Sequence, residues 1–219
     1  MTTRNSIIAS RSVRCRATVL VVASALLLTG CGGDAPGDTG SASPSATTAA
    51  TASATPTPTQ TPVYRPADAS GPAQNVPVPV LPEVAKTETK EGLEAFARYW
   101  FELLSYGYET GDVEKISEIT SDSCVMCERS KEVQTGWHDG GRWLSGGKVT
   151  TPSVSTTFRP GPDGSYQVAV QVSQDALSYY NADGSLDSAE PKPADSGSLM
   201  LAGYRDGAWV VNTIEPIGG

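Results

Sequence analysis

The 219 residues carry 24 acidic against 16 basic side chains, a net charge of −8, with four cysteines and one histidine. That balance excludes the Lys/Arg surface that phosphate backbones demand, so no nucleic-acid partner is expected. A single histidine, His138, without a cysteine cluster at ligand spacing argues against a zinc or transition-metal centre, and no cofactor is expected.

Residues 1–30 read as an export signal. They contain no Asp or Glu; Arg4, Arg11, Arg14 and Arg16 form a basic start, and Ala17 to Leu28 an apolar run. That run suits a signal peptide and is too short to cross ~30 Å of hydrocarbon as a helix. The following Leu28-Thr29-Gly30-Cys31 resembles the bacterial lipobox, whose cysteine receives a diacylglycerol before cleavage on its N-terminal side. Two acyl chains hold firmly where one holds only marginally. The expected location is therefore the extracytoplasmic face of the cell membrane, with lipidated Cys31 as the anchor. Loss of the signal leaves 12 basic against 24 acidic residues, a net charge of −12, so anionic headgroups would repel the rest of the chain. Cys15 departs with the signal and Cys31 is lipidated. Cys124 and Cys127 remain, an even pair expected to be oxidised after export.

From residue 31 to 82 the chain is rich in Ser, Thr, Ala, Pro and Gly, including Thr55-Pro56-Thr57-Pro58-Thr59. Such a stretch buries too little apolar surface to offset its ordering entropy and reads as a disordered tether, open to O-glycosylation. Val76-Pro77-Val78-Pro79-Val80-Leu81-Pro82 is more apolar and suits an extended, polyproline-like strap along the domain.

A single folded domain is expected over 83–219. Leu93, Phe96, Ala97, Trp100, Leu103 and Leu104 recur at three- and four-residue steps, the stripe of an amphipathic helix. Thr89 or Thr87 suits its N-cap and Gly111 its stop. Asp112 suits the cap of a short second helix with Val113, Ile116 and Ile119. Ser123 suits the cap of a third, in which Met126, Val133 and Trp137 share a face; Gly136, Gly140 and Gly141 then break the pattern.

The second half reads as strands. Lys148 to Phe158 is rich in Val and Thr, with Pro152 marking an edge or a bulge. After the turn Pro160-Gly161-Pro162-Asp163-Gly164, Tyr166, Val168, Val170 and Val172 alternate with smaller or polar residues as a half-buried strand. Leu199–Tyr204 and Ala208–Ile214 flank Asp206-Gly207 as a hairpin. The polar stretch Gln174–Gly197 between them reads as a long loop or ragged hairpin.

Helices followed by antiparallel strands make an α+β arrangement. Its simplest burial scheme is three N-terminal helices packed on one curved antiparallel sheet, with Trp100 and Trp209 in the core. This order resembles the nuclear-transport-factor-2-like cone. Lipobox, tether, Phe96-Ala97-Arg98-Tyr99-Trp100, Thr110-Gly111-Asp112 and Cys124-Val125-Met126-Cys127 together are similar to an uncharacterised family of actinobacterial envelope lipoproteins, which implies no activity.

Cys124-Val125-Met126-Cys127 has the spacing of a thiol–disulfide oxidoreductase, but no βαβ pattern surrounds it and Asp122 opposes a low thiol pKa. A structural staple is expected. No G-x-S-x-G elbow, P-loop or H-E-x-x-H occurs. Trp137 and Trp143 bracket a Gly-rich loop, with His138 and Arg142 beside them and His138 expected to be exposed. Residues 136–147 are thus the expected contact surface. Two readings result. One is a membrane-tethered binding module for an envelope protein, cell-wall component or small apolar ligand. The other is a small-pocket enzyme of the cone type, isomerase- or cyclase-like, with Tyr99, Tyr106, Tyr108 and His138 as residues that could face its pocket and no catalytic motif among them.

Overall fold

The computed structural model describes residues 62–218. The export signal 1–30, Cys31 and the tether as far as residue 61 lie outside the described residues.

Helix α1 (Lys90–Thr110) is the central element. Its apolar stripe buries Leu93, Phe96, Ala97, Trp100 and Leu103 as expected. Thr89 Oγ1 accepts the Gly92 N–H at 3.0 Å, which satisfies a donor that the first helical turn leaves unpaired. The helix stops at Gly111, whose φ of 75° lies in the left-handed region that glycine enters without a Cβ penalty. Asp112 then accepts from the Glu114 N–H at 3.0 Å to open the short helix α2 (Glu114–Glu118).

Helix α3 spans Val125–His138. Cys124, rather than Ser123, caps it, its Sγ accepting the Cys127 N–H at 3.3 Å. Met126, Val133 and Trp137 do share a helical face, but that face looks outward: Met126 and Val133 are exposed and Trp137 is half-buried. The inward stripe is Cys127 and Gln134, with Lys131 and His138 half-buried beside them. The cause lies in α1, where Gly107 leaves space that a Cβ would deny to the Gln134 amide. Gln134 fills it and donates Nε2–H to the Leu104 carbonyl at 3.1 Å.

The strands form two antiparallel sheets, and this corrects the expected single curved sheet and with it the cone. One sheet holds β2 (Val149–Ser155), β3 (Tyr166–Gln174), β6 (Ser196–Arg205) and β7 (Ala208–Ile217), in the order β2-β3-β6-β7. The other holds β1 (Trp143–Gly146), β4 (Leu177–Tyr180) and β5 (Leu186–Glu190), in the order β1-β4-β5. The division has a local reason. Gly146, which ends β1, and Gly147 after it both take positive φ, opposite the break at Asp175-Ala176 between β3 and β4. Both ladders are interrupted at one level.

The four-stranded sheet and α1 enclose the main core. Val154 pairs with Val170, Val168 with Met200 and Met200 with Ile214, while Tyr166 pairs with Ala202 and Ala202 with Val211. Pro152 lies in a bulge of edge strand β2, a place where its missing N–H costs no ladder bond. A second irregularity, between Leu201 and Ala202 in β6, faces an extra residue in β7. It re-phases β7 so that Trp209, Val211 and Ile214 all point inward, which strict alternation would not allow. Trp100 and Trp209 are both core residues.

Residues 62–75, which composition assigns to the tether, run along the domain as an arm together with the strap 76–82, which lies along the domain as expected. Arg65 and Gln74 exchange backbone hydrogen bonds of 3.0 and 2.9 Å around a turn at Asp68–Gly71. Trp143 Nε1 donates to the Asp68 carbonyl at 2.9 Å and Ser145 Oγ to that of Ala67 at 2.7 Å. The chain returns through Val76–Pro82, with Val76, Pro79 and Leu81 half-buried, to a 3-10 turn at Glu83–Lys86.

Candidate functional site

Trp137, His138, Arg142 and Trp143 do come together, where α3 ends against β1. They make a packed corner more than an open surface. Trp143 is only 5% exposed, stacked on Tyr180 with ring centroids 5.3 Å apart and bonded to the arm. Trp137 meets Tyr179 edge-on at 5.0 Å and donates Nε1–H to the Trp143 carbonyl at 3.2 Å. The Arg142 guanidinium covers the Trp137 ring at 4.4 Å and donates to the carbonyls of Gly136 and Asp139. Each expected anchor is thus engaged within the chain. The partners responsible, Tyr179 and Tyr180, belong to the polar stretch 174–197, which forms the ragged hairpin β4–β5, the second of the two forms its composition allows.

His138 is half-buried rather than exposed. Its Nε2 lies 3.1 Å from the Tyr108 carbonyl, which only a donor can serve, so Nε2 carries the proton. Burial pushes its pKa below the ordinary 6.5, the Tyr108 bond opposing the shift. The unfolded chain therefore binds this proton more readily than the folded one. His138's contribution to stability is present above about pH 6.5 and is lost as pH falls toward the lowered folded value. The urea midpoint of the wild type should fall more steeply below pH 6.5 than that of His138→Gln. Parallel curves would remove this assignment.

Cys124 and Cys127 form a disulfide with their Cα atoms 5.2 Å apart, and both residues are buried. An exchange-active disulfide must admit an attacking thiolate. Here neither sulfur is presented, and the adjoining Ser121 N–H is held by the Val211 carbonyl at 2.8 Å. The bond is a staple at the start of α3. Replacing both cysteines by Ser should lower stability by about 2 kcal/mol on the loop-entropy scale, and native protein should reduce insulin no faster than a buffer control.

The concave site lies elsewhere, along the outer face of α1. A cavity of about 460 Å³ is walled by Tyr64, Pro66, Val76, Pro77 and Pro79 of the arm. The α1 side chains Glu102, Ser105, Tyr106 and Glu109 form its floor, and Lys148 and Val149 the opposite edge. A second cavity of about 230 Å³ shares Glu102, Lys148 and Val149 and continues toward Arg98 and Thr151. The two make one groove between α1 and edge strand β2. α1 also satisfies the edge of that strand: Arg98 Nη1 donates to the Thr151 carbonyl at 2.7 Å, and Ser105 Oγ accepts the Val149 N–H at 3.1 Å. The backbone groups of a free edge would otherwise invite another strand.

Tyr64 ties the arm to this groove through a hydrogen bond to Glu109 Oε1. That carboxylate, followed by burial, pushes the Tyr64 pKa up to about 12. Burial likewise raises Tyr106, with Asp112 adding to it. Tyr99 is buried in the main core and Tyr108 lies by His138, so the three helix tyrosines do not converge on one pocket. Among the described residues no group of His, Cys, Asp and Glu side chains could hold a metal ion, and no helix is long and apolar enough to cross a membrane. Of the groove residues on α1 only Tyr106 stands out in the sequence; Arg98, Glu102, Ser105 and Glu109 lie on the polar side of an amphipathic helix, where a solvated face is the ordinary reading. Their four- and three-residue spacing was the available signal.

Fold and site together define a disulfide-stapled α+β domain with an N-terminal arm closing one end of a helix-lined groove. The chain belongs to the family of unknown function DUF6318, whose model matches residues 62–215. No curated protein matches it. Among solved structures, the intermembrane-space region of the chloroplast protein ARC6 is 11% identical with a TM-score of 0.39, covering 60% of this chain and 98% of that one. Aln2 from a Streptomyces species is 10% identical with a TM-score of 0.36, covering 57% and 88%. An uncharacterised protein with a cystatin-like fold from Caulobacter vibrioides is 16% identical with a TM-score of 0.33, covering 56% and 89%. Likeness at this level assigns neither a fold family nor an activity.

Proposed function

We propose that this protein is a lipid-anchored lipoprotein of the bacterial cell envelope that works by contact on the extracytoplasmic face of the membrane. Cys31 carries the lipid, residues 32–61 form the tether, and the arm-and-groove domain meets a partner held nearby. The observation that supports this reading is the groove itself. Its walls are proline and tyrosine rings and valine, with carboxylates along α1 and a lysine on the facing edge, the composition of a recognition surface. Its tyrosines are phenols pushed above their ordinary value of 10, Tyr64 by the Glu109 carboxylate and Tyr106 by burial, so their hydroxyls are hydrogen-bonding groups. A tether raises the effective concentration of such a domain for anything fixed in the envelope.

Cys31→Ala should move the exported protein from the detergent phase to the aqueous phase. Equal partitioning of the two forms, with the variant still cleaved, would sink the anchor. Photo-crosslinkers placed at Ser105 and Lys148 should capture a partner in the native envelope. Absence of any crosslink from both positions would sink the contact reading, and turnover of an envelope metabolite by the pure protein would replace it with an enzyme.

A further inference from the structure

Glu102 and Glu109 lie two helical turns apart on one face of α1, so their backbones are ~10.5 Å apart along the axis. Neither pairs with a cation among the described residues, and Glu109 is committed only to the Tyr64 hydroxyl. Lys148, on the facing edge, is likewise without an ion-pair partner there. From Arg98 to Glu109 the groove extends over ~16 Å, the length of about five residues of extended chain.

An occupant cannot add to β2 as another strand, because the Val149 N–H and Thr151 carbonyl are already taken by Ser105 and Arg98. A polyproline II segment needs no such ladder, since its backbone makes no internal or edge-to-edge pairing. It rises ~3.1 Å per residue with three residues per turn. Residues three apart therefore share a face ~9.3 Å apart, close to the carboxylate spacing. Same-face residues of a strand fall at ~6.7 or ~13 Å, which miss it. Segments of this kind dock on aromatic-lined grooves, and Tyr64 and Tyr106 supply the rings here.

We propose that the α1–arm groove binds a polyproline II peptide segment carrying basic side chains three residues apart, which meet Glu102 and Glu109. The segment packs its apolar rings on Tyr64, Tyr106 and the arm prolines, and Lys148 donates to one of its carbonyls. This rests on the contact reading above and names the chemistry of the partner.

The test uses the full chain carrying Cys31→Ala and fluorescence polarisation with labelled peptides. Pro-Lys-Pro-Pro-Lys-Pro should bind about tenfold more tightly than Pro-Lys-Pro-Pro-Pro-Lys, in which the cations are four apart, and than the Glu-for-Lys counterpart. Glu102→Gln together with Glu109→Gln should remove that preference while circular dichroism and melting show the fold retained. Raising the salt should weaken binding of the matched peptide most. Equal affinity for both lysine spacings would overturn the proposal in favour of unspecific charge attraction. Spermidine competing as strongly as the matched peptide would make this a small-cation site and also overturn it. If no peptide binds while crosslinks at Ser105 and Lys148 persist in the envelope, the contact reading stands and this ligand class falls.

Discussion

Trp209→Ala should lower stability by about 3–5 kcal/mol, the range for deleting a large buried aromatic, out of a total of ~5–15. Trp209 is 2% exposed and packs against Phe96, Tyr166 and Tyr204, with ring centroids 6.4, 5.3 and 4.9 Å away. Truncation also orphans the Thr87 carbonyl, which accepts its Nε1–H at 3.0 Å. That bond belongs to a set. Tyr204 donates to the Lys86 carbonyl and Tyr166 to Glu88, each at 2.9 Å, so three aromatics from β6, β7 and β3 hold the three consecutive residues that lead into α1. Trp209→Phe keeps most of the area and loses the hydrogen bond, so it should cost only about 1–2 kcal/mol. Urea denaturation of both variants checks the ranking. A loss under 1 kcal/mol in the alanine variant would show that the 86–88 entry is held by something else.

What was legible in the sequence follows from periodicity with one dominant cause. The α1 stripe, the Gly111 stop, the alternation of β3, Pro152 in the edge bulge and the Asp206-Gly207 hairpin each reflect local chemistry that the fold leaves unopposed. Tertiary geometry overrode the rest. The apolar face of α3 points outward because Gly107 admits an amide on the other side, and no property of α3 alone encodes that. The paired breaks at 146–147 and 175–176 split the sheet through a coincidence of register between distant segments, so a single sheet was the natural expectation. The groove was legible only in pieces for a related reason: the strap 76–82 and Tyr106 carried a signal, but Tyr64 and Pro66 lie in a stretch that reads as a tether, and the rest is a polar helix face.

The arm also changes the meaning of the tryptophans. Composition alone offers Trp137 and Trp143 as a matched pair of contact anchors. In the fold Trp143 closes the chain's own N-terminal segment onto β1, with Ser145 beside it, while Trp137 sits half-buried under Arg142. The same arm carries Tyr64 and the prolines that wall the groove. Seating of the arm and shape of the groove are therefore coupled through residues on two sides of β1.

Trp143→Ala should consequently have two separable effects. Global stability should fall by about 3–5 kcal/mol, since a ring 5% exposed and stacked on Tyr180 leaves a cavity. The Asp68 carbonyl would lose its donor, and the arm should loosen beyond what the global loss accounts for. Amide exchange at Arg65 and Gln74, whose N–H groups are paired across the arm, should accelerate even under conditions where β3 and β6 amides stay protected. Trp137→Ala provides the contrast. Its ring is half-buried and covered by a mobile type of side chain, so it should cost about 1–2 kcal/mol and leave exchange at Arg65 and Gln74 unchanged. Peptide binding to the groove should weaken in Trp143→Ala and persist in Trp137→Ala, because only the first variant frees the wall that carries Tyr64. Identical exchange at Arg65 and Gln74 in both variants would mean that the arm is seated without Trp143, and the coupling between tryptophan, arm and groove would be lost.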